Sequence, residues 1–221
     1  MKLLALETAN EQCSVSLIDE NQTLFFQLDS RAKAQTKSIL PMIDAAFQQT
    51  DIQISELDAI AFSRGPGSFS GVRINAAVTQ ALAWSNDLPV IPVSTLQALA
   101  QAAYRLSNLT KVTAVLDARM NEVYIANYQI DEHGIMQAQD DEQLLSYVAA
   151  AEYQKFALVG SGATCINPNC TEFANIHATA EDIATIAREQ ALKQQWVGAE
   201  LALPVYLRDN AWKKIPEQGK A

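Results

Sequence analysis

The sequence predicts an α/β protein of two related lobes, each a mixed β-sheet with helices packed on it. Three observations carry this. Apolar runs of strand length alternate with segments of helical periodicity along the chain. The order strand-strand-strand-helix-strand-helix can be read twice, without repetition of the residues themselves. And 221 residues, 49% of them hydrophobic and 19% charged, suffice for one sizeable core or two small ones sharing an interface.

The elements follow in order. Residues 2–7 are nearly all apolar, as a strand covered on both faces requires. Residues 13–18 alternate, and Asp19-Glu20-Asn21 turns the chain into a third apolar run, Thr23 to Leu28. Ile39, Leu40, Ile43, Ala46 and Phe47 recur at three- and four-residue spacing, so a helix follows, with Pro41 in its early turns. A fourth strand, Ala59 to Ser63, runs into Gly65-Pro66-Gly67 and a second helix over 70–85. Pro89 to Val93 reads as a fifth strand. Ser94 or Thr95 caps a third helix carrying Leu96, Leu99, Ala103 and Leu106 on one side. The second half repeats the plan with strands at 112–116, 122–129 and 134–138, a helix at 141–151, a strand at 156–159 and a helix at 181–195. The expected division is an N-terminal lobe, 1–107, and a C-terminal lobe, 108–221, with the boundary near Ser107-Asn108-Leu109. This duplicated plan resembles the actin, sugar-kinase and Hsp70-ATPase superfold.

Composition narrows the function. The formal net charge is −9, and an acidic surface repels phosphate backbones, so RNA would have to be reached through a partner or a local patch. No stretch approaches the roughly 18 apolar residues of a membrane span. The opening apolar run is too short for a signal-peptide core and meets Glu7 at once. Cys13, Cys165 and Cys170 form no C-x-x-C pair, and their odd number argues against a disulfide framework. A cytoplasmic protein is expected, with Cys13 as a small core residue.

Chemistry-bearing groups are few. Glu7 and Asp117 each open a polar turn at a strand end, Glu7 to Glu11 and Asp117 to Asn121, where a carboxylate could order a metal-bound water. The first turn has neither glycine nor lysine, so an ordinary polar hairpin is the plainer reading. The densest motif, Ser63 to Gly71, is not a Walker loop or a dinucleotide fingerprint. It reads as a strand-to-helix elbow, although amides at a helix start can receive an anion. Gly160-Ser161-Gly162-Ala163 shares that ambiguity. The only histidines, His133 and His177, are far apart, and no spacing fits a metal site or a catalytic triad; no catalytic and no metal-ligating residues are assigned. The helix over 70–85 is apolar around most of its circumference, broken by Arg73, Asn75, Thr79 and Gln80. It therefore needs cover on a second side, from its own chain or from a partner.

Taken in order, several blocks resemble the TsaB (YeaZ) family of tRNA threonylcarbamoyladenosine biosynthesis proteins. They are residues 3–8 with 13–17, 39–43, Arg64 to Arg73, Pro92 to Leu96, Asp117 to Tyr124, and the tail Pro204-Val205-Tyr206-Leu207-Arg208. The resemblance implies a non-catalytic subunit required for tRNA N6-threonylcarbamoyladenosine (t6A) modification. Such a subunit binds and activates TsaD, a larger relative that transfers the threonylcarbamoyl group, and the ATPase TsaE completes the assembly. It implies tRNA contact only through the complex, and no cofactor is expected of this chain; whether a nucleotide sits at the subunit junction stays open. Where the catalytic relative carries a His-x-x-x-His metal pair, this chain has Thr95 and Leu99, neither able to replace an imidazole. The first two helices are implied to meet the partner, with Met42, Ala46, Val72, Asn75, Ala76 and Thr79 as contact candidates. A homodimer through the same helices is expected when the partner is absent. Gln35 stands where relatives commonly carry a histidine, and residues beyond about 130 match only loosely until the tail.

Two other functions compete. One is a weak ATPase or phosphotransferase using Glu7 and Asp117. The other is a metallopeptidase, for which the sequence offers no ligands. Arg208, Lys213 and Lys214 read as a solvated basic tail.

Overall fold

Leu3, Leu4, Ala5 and Leu6 are wholly buried because β1 (Lys2–Glu7) is the central strand of a sheet with helices on both faces. The computed structural model describes residues 1–20, 22–31 and 34–208. Its first part consists of β1, β2 (Cys13–Asp19), β3 (Gln22–Asp29), α1 (Gln35–Thr50), β4 (Ala59–Gly65), α2 (Phe69–Ser85), β5 (Val90–Ser94) and α3 (Thr95–Ser107). Its second part consists of β6 (Lys111–Arg119), β7 (Glu122–Ile130), β8 (Met136–Ala138), β9 (Gln143–Ser146), α4 (Tyr147–Tyr153), β10 (Ala157–Val159), α5 (Ala163–Ile166) and α6 (Ala180–Leu192).

The first sheet has the order β3-β2-β1-β4-β5, with β1 antiparallel to β2 and parallel to β4. The second has the order β10-β6-β7-β8, with β6 antiparallel to β7 and parallel to β10. β6 thus occupies the position of β1, β7 that of β2 and β10 that of β4, while β8 and β9 share the third place beside β7. Two mixed sheets built on one plan are the fold the sequence predicts. The second sheet lacks a counterpart of β5 among the described residues.

One face of the first sheet, with Leu4, Leu6, Val15, Leu17 and Phe62, packs on α1 and α2. Cys13 belongs to this core, where burial pushes its thiol up to about 12. The opposite face, with Leu3, Ala5, Ile91 and Val93, is covered by Ile183, Ala184, Ile186 and Ala187 of α6. α3 lies at the junction: Leu96, Leu99 and Ala103 pack on Val112, Ala114 and Ala126 of the second sheet, while Ala98 joins the core under α6.

One expectation changes. Residues 141–151 are not one helix: Gln143 to Leu145 pair with Ile125 to Val123 as β9, and the helix starts only after Ser146, whose hydroxyl accepts from the Ala149 amide. The described residues beyond 108 pack on both sheets. α6 returns to the first sheet, Ala199 and Ala202 enter its core, Val197 bridges to Val90, and the Val205 amide donates to the Arg64 carbonyl at 2.8 Å. The physical cause is the doubly covered β1, whose second face α6 closes.

Candidate partner-docking face and hairpin turns

The two hairpins place a carboxylate at equivalent positions in different surroundings. Glu7, at the end of β1, accepts from the Ala9 amide, and Asp117, near the end of β6, accepts from the Arg119 amide. Glu7 is wholly buried, its Oε2 makes no hydrogen bond, and burial pushes its carboxyl up to about 7. The Ser63 hydroxyl and the Ala9 and Asn10 amides oppose that rise, and the charge of Asp182 adds to it. Asp117 stays partly open and pairs with Arg119 Nη1 at 2.8 Å. The second turn runs through three left-handed residues, Arg119, Met120 and Asn121.

The elbow after β4 closes onto the first hairpin. The Ser68 amide donates to the Ala9 carbonyl at 2.7 Å, and Thr8 Oγ1 donates to the Gly71 carbonyl at 2.8 Å. A Cβ at Gly71 would stand 2.0 Å from the Thr8 oxygen and one at Gly67 2.4 Å from the Ala9 oxygen, so the approach needs glycine at both places. An amide that could face an anion at the start of α2 is already spent on the hairpin, as the structural reading of this motif requires.

α2 is oriented by its polar residues. Asn75 Nδ2 donates to the Leu6 carbonyl at 3.1 Å, the Ser63 carbonyl at 3.2 Å and Ser63 Oγ at 2.7 Å, which turns Asn75 and Thr79 onto the sheet. Met42, Ala46, Val72, Asn75, Ala76 and Thr79 are all buried inside this chain. The spacing that marked them is that of the face which packs on the chain's own sheet. The open face of α2 is instead formed by Phe69 (69% exposed), Ala77, Ala81 and Trp84 (68% exposed), with Arg73 half-buried. Its C-terminal part is a shallow groove of about 490 Å³ lined by Ala77, Gln80, Ala81, Trp84, Ser85 and Glu200. The sequence held one usable sign. On a helix apolar all round, a buried Asn that donates to sheet carbonyls fixes which side faces in, and Phe69, Arg73, Ala77, Ala81 and Trp84 then fall on the other.

The remaining residues singled out by sequence lie around this frame. Thr95 and Leu99 are buried, Leu99 in the core of the second sheet, while Ser94 caps α3 through the Gln97 amide. Gln35 is buried and its Nε2 donates to the Asn10 carbonyl at 2.9 Å, tying α1 to the first hairpin. The tail motif forms a strap. Tyr206 lies against Arg73, and Arg208 Nη2 donates to the Ala118 carbonyl at 3.1 Å while Nη1 pairs with Glu122 Oε2 at 2.6 Å. Arg208 is thus a structural clamp on the second hairpin rather than a free cation; Lys213 and Lys214 lie outside the described residues.

A family model described as TsaD, tRNA N6-adenosine threonylcarbamoyltransferase, matches residues 30–215. The tRNA threonylcarbamoyladenosine biosynthesis protein TsaB of Escherichia coli (strain K12) is 37% identical over 98% of this chain and 99% of its own length. This chain belongs to the TsaB family. The TsaB protein of Haemophilus influenzae is 35% identical, with 98% of each chain covered. Among solved structures, YeaZ from Pseudomonas aeruginosa matches with a TM-score of 0.85 at 35% identity, covering 93% of this chain and 99% of its own. The match to the E. coli TsaB runs over nearly the whole chain, so the hairpins, elbow and α2 lie within the shared part.

Proposed function

We propose that this chain is the non-catalytic subunit of t6A modification that binds and activates TsaD through the exposed face of α2. The observation that carries the reading is that face itself: two large aromatic residues more than two-thirds exposed, set beside Ala77 and Ala81, on a helix whose other side is fully used by its own sheet. Exposed aromatics with a positioned arginine are the residue types that dominate binding energy in protein interfaces. Small residues at the centre let a partner helix approach closely.

Membership of the TsaB family names the pathway, and the TsaD family match makes a subunit of common descent the natural partner. TsaE joins the larger complex, and an acidic chain of net charge −9 meets tRNA only through that complex. The chain needs no cofactor of its own, and it works in the cytoplasm; no helix among the described residues is long and apolar enough to cross a membrane. The packing of the first hairpin against its own elbow favours the non-catalytic reading over an ATPase built on Glu7 and Asp117.

Co-purification with TsaD tests this, comparing wild type with an Ala77→Glu, Ala81→Glu double variant. The variant is expected to fold, because both sites are exposed, and to lose the complex. A complex that survives the double variant would move the interface elsewhere. In a reconstituted system, t6A formation should stop when this chain is left out; modification that proceeds without it would overturn the proposal. Background ATP hydrolysis should be the same in wild type, Glu7→Ala and Asp117→Ala.

A further inference from the structure

Residues 202–208 form a strap, without helix or ladder, that ties the open face of α2 to the second lobe. On the α2 side, the Arg73 guanidinium carbon stands 3.6 Å from the centre of the Phe69 ring and 4.8 Å from that of Tyr206. Beside it the Val205 amide bonds the Arg64 carbonyl, and a Cβ at Gly65 would meet the Val205 carbonyl at 3.2 Å. On the other side, Arg208 reaches three atoms of the second hairpin: the Ala118 carbonyl at 3.1 Å, Met120 Sδ at 3.6 Å and Glu122 Oε2 at 2.6 Å. Leu207 alone separates Tyr206 from Arg208, so about 7 Å of chain joins the two ends and leaves little slack.

What the strap holds is strained. Arg119, Met120 and Asn121 run in succession through left-handed backbone, at φ +63°, +58° and +61°, and none is glycine. Such a conformation persists where surrounding contacts over-determine it. Arg208 supplies part of that bracing. The Asp117 carboxylate on the Arg119 amide and the Tyr147 amide on the Asn121 carbonyl supply more. Glu122 Oε2 is buried without a hydrogen bond, and the Arg208 charge compensates it. The strap itself is lightly held. Among the described residues the Val205 bond is the one main-chain hydrogen bond of 204–208, and Tyr206 is 53% exposed. A segment held so lightly opens locally at small cost.

We propose that the strap couples the docking face to the second hairpin: a partner covering Phe69, Arg73 and Tyr206 fixes the strap, and the fixed strap keeps residues 117–121 in their strained shape. The proposal rests on the reading of the α2 face as the TsaD surface and adds what binding there regulates. The coupling runs both ways. Ordering the strap loses conformational entropy once, so a partner that fixes Tyr206 makes the clamp on the hairpin easier to keep. A hairpin already clamped, in turn, presents Tyr206 ready for the partner. The side chains this controls are Arg119 and Met120, each more than three-quarters exposed at the tip of the hairpin.

Hydrogen–deuterium exchange of the full chain, read at residues 118–122 with and without TsaD, tests this. In wild type, TsaD should slow exchange there by about fivefold or more, the low end of ordinary coupling between sites. Arg208→Ala should still fold and still be captured, more weakly, but lose that slowing. Arg208→Lys, which keeps a charge for Glu122, should recover part of it. In the free chain, Tyr206→Ala should speed exchange at the hairpin. Should Arg208→Ala fail to fold, Glu122→Gln releases the same clamp from the other side and carries the comparison. A hairpin whose exchange ignores TsaD overturns the proposal. So does one slowed equally in Arg208→Ala, as direct cover by TsaD would give. If wild type captures no TsaD, the docking reading falls, and the free chain decides the strap by itself: a hairpin indifferent to Tyr206→Ala removes the coupling as well.

Discussion

Arg105, at the end of α3, holds Asp182 at the start of α6 with a fork, Nε to Oδ1 and Nη2 to Oδ2, both at 2.9 Å. Asp182 is wholly buried and also accepts from the Thr179 amide and hydroxyl, which caps α6. One carboxylate thus starts the helix that covers β1 and ties it to the junction helix.

Arg105→Met keeps most of the volume and leaves that carboxylate buried without its cation. The expected loss of stability is roughly 3 kcal/mol, reduced by whatever solvent already screens the partly exposed guanidinium. Urea unfolding measures it, and an unchanged midpoint would show that the fork contributes nothing.

Glu7 sets a pH dependence of unusual sign. Its carboxyl, near 4.5 when free, is raised by burial to about 7 in the folded chain. The folded state therefore holds a proton that the unfolded state has released, so stability falls as pH rises from 4.5 through 7 and is level above. Between pH 5 and pH 8 wild type should lose roughly 2–3 kcal/mol from this group, at about 1.4 kcal/mol per pK step. Glu7→Gln should remove that slope. Thermal unfolding at the two pH values decides; equal slopes would place the dependence on other groups.

Gly71→Ala puts a methyl group into the Thr8 carbonyl, 2.0 Å away before relaxation. Separating α2 from the hairpin should cost about 1–3 kcal/mol. The melting temperature should drop accordingly, and a neutral result would mean the elbow gives more freely than its hydrogen bonds suggest.

Val72→Glu and Ala77→Glu, five residues apart on α2, should behave in opposite ways. Val72 is buried against the sheet, so a carboxylate there should unfold the chain or cost several kcal/mol. Ala77 is exposed, so Glu there should leave the melting curve within about 0.5 kcal/mol and act only on association. Circular dichroism with sedimentation distinguishes the two, and a destabilised Ala77→Glu would mean that this side of α2 is covered.

The first sheet was legible strand by strand, because full burial of β1 leaves a continuous apolar run and turn residues separate the alternating β2 from the largely exposed β3. β9 was not. Gln143, Leu144 and Leu145 fit helical and extended patterns equally, and only pairing with β7 decides. Long-range packing was also hidden: α6 reads as an ordinary amphipathic helix, and nothing local says it covers a sheet begun 180 residues earlier. On α2, periodicity marked the side that packs on its own sheet. Thr79 and Asn75 look like interruptions of an apolar surface until their sheet-facing orientation is known, whereas Trp84 and Phe69 look like core.

The return of α6 has a consequence for how the chain is made. Leu3, Ala5, Ile91 and Val93 have left the ribosome long before residues 180–191 appear. For that interval the first sheet is half-dressed, with one apolar face closed by α1 and α2 and the other bare. The earliest segments therefore cannot reach their final stability until almost the last are synthesised, and a chain truncated before Ala180 has nothing to lay over β1. Nascent protein stalled in that window is where chaperone capture should concentrate.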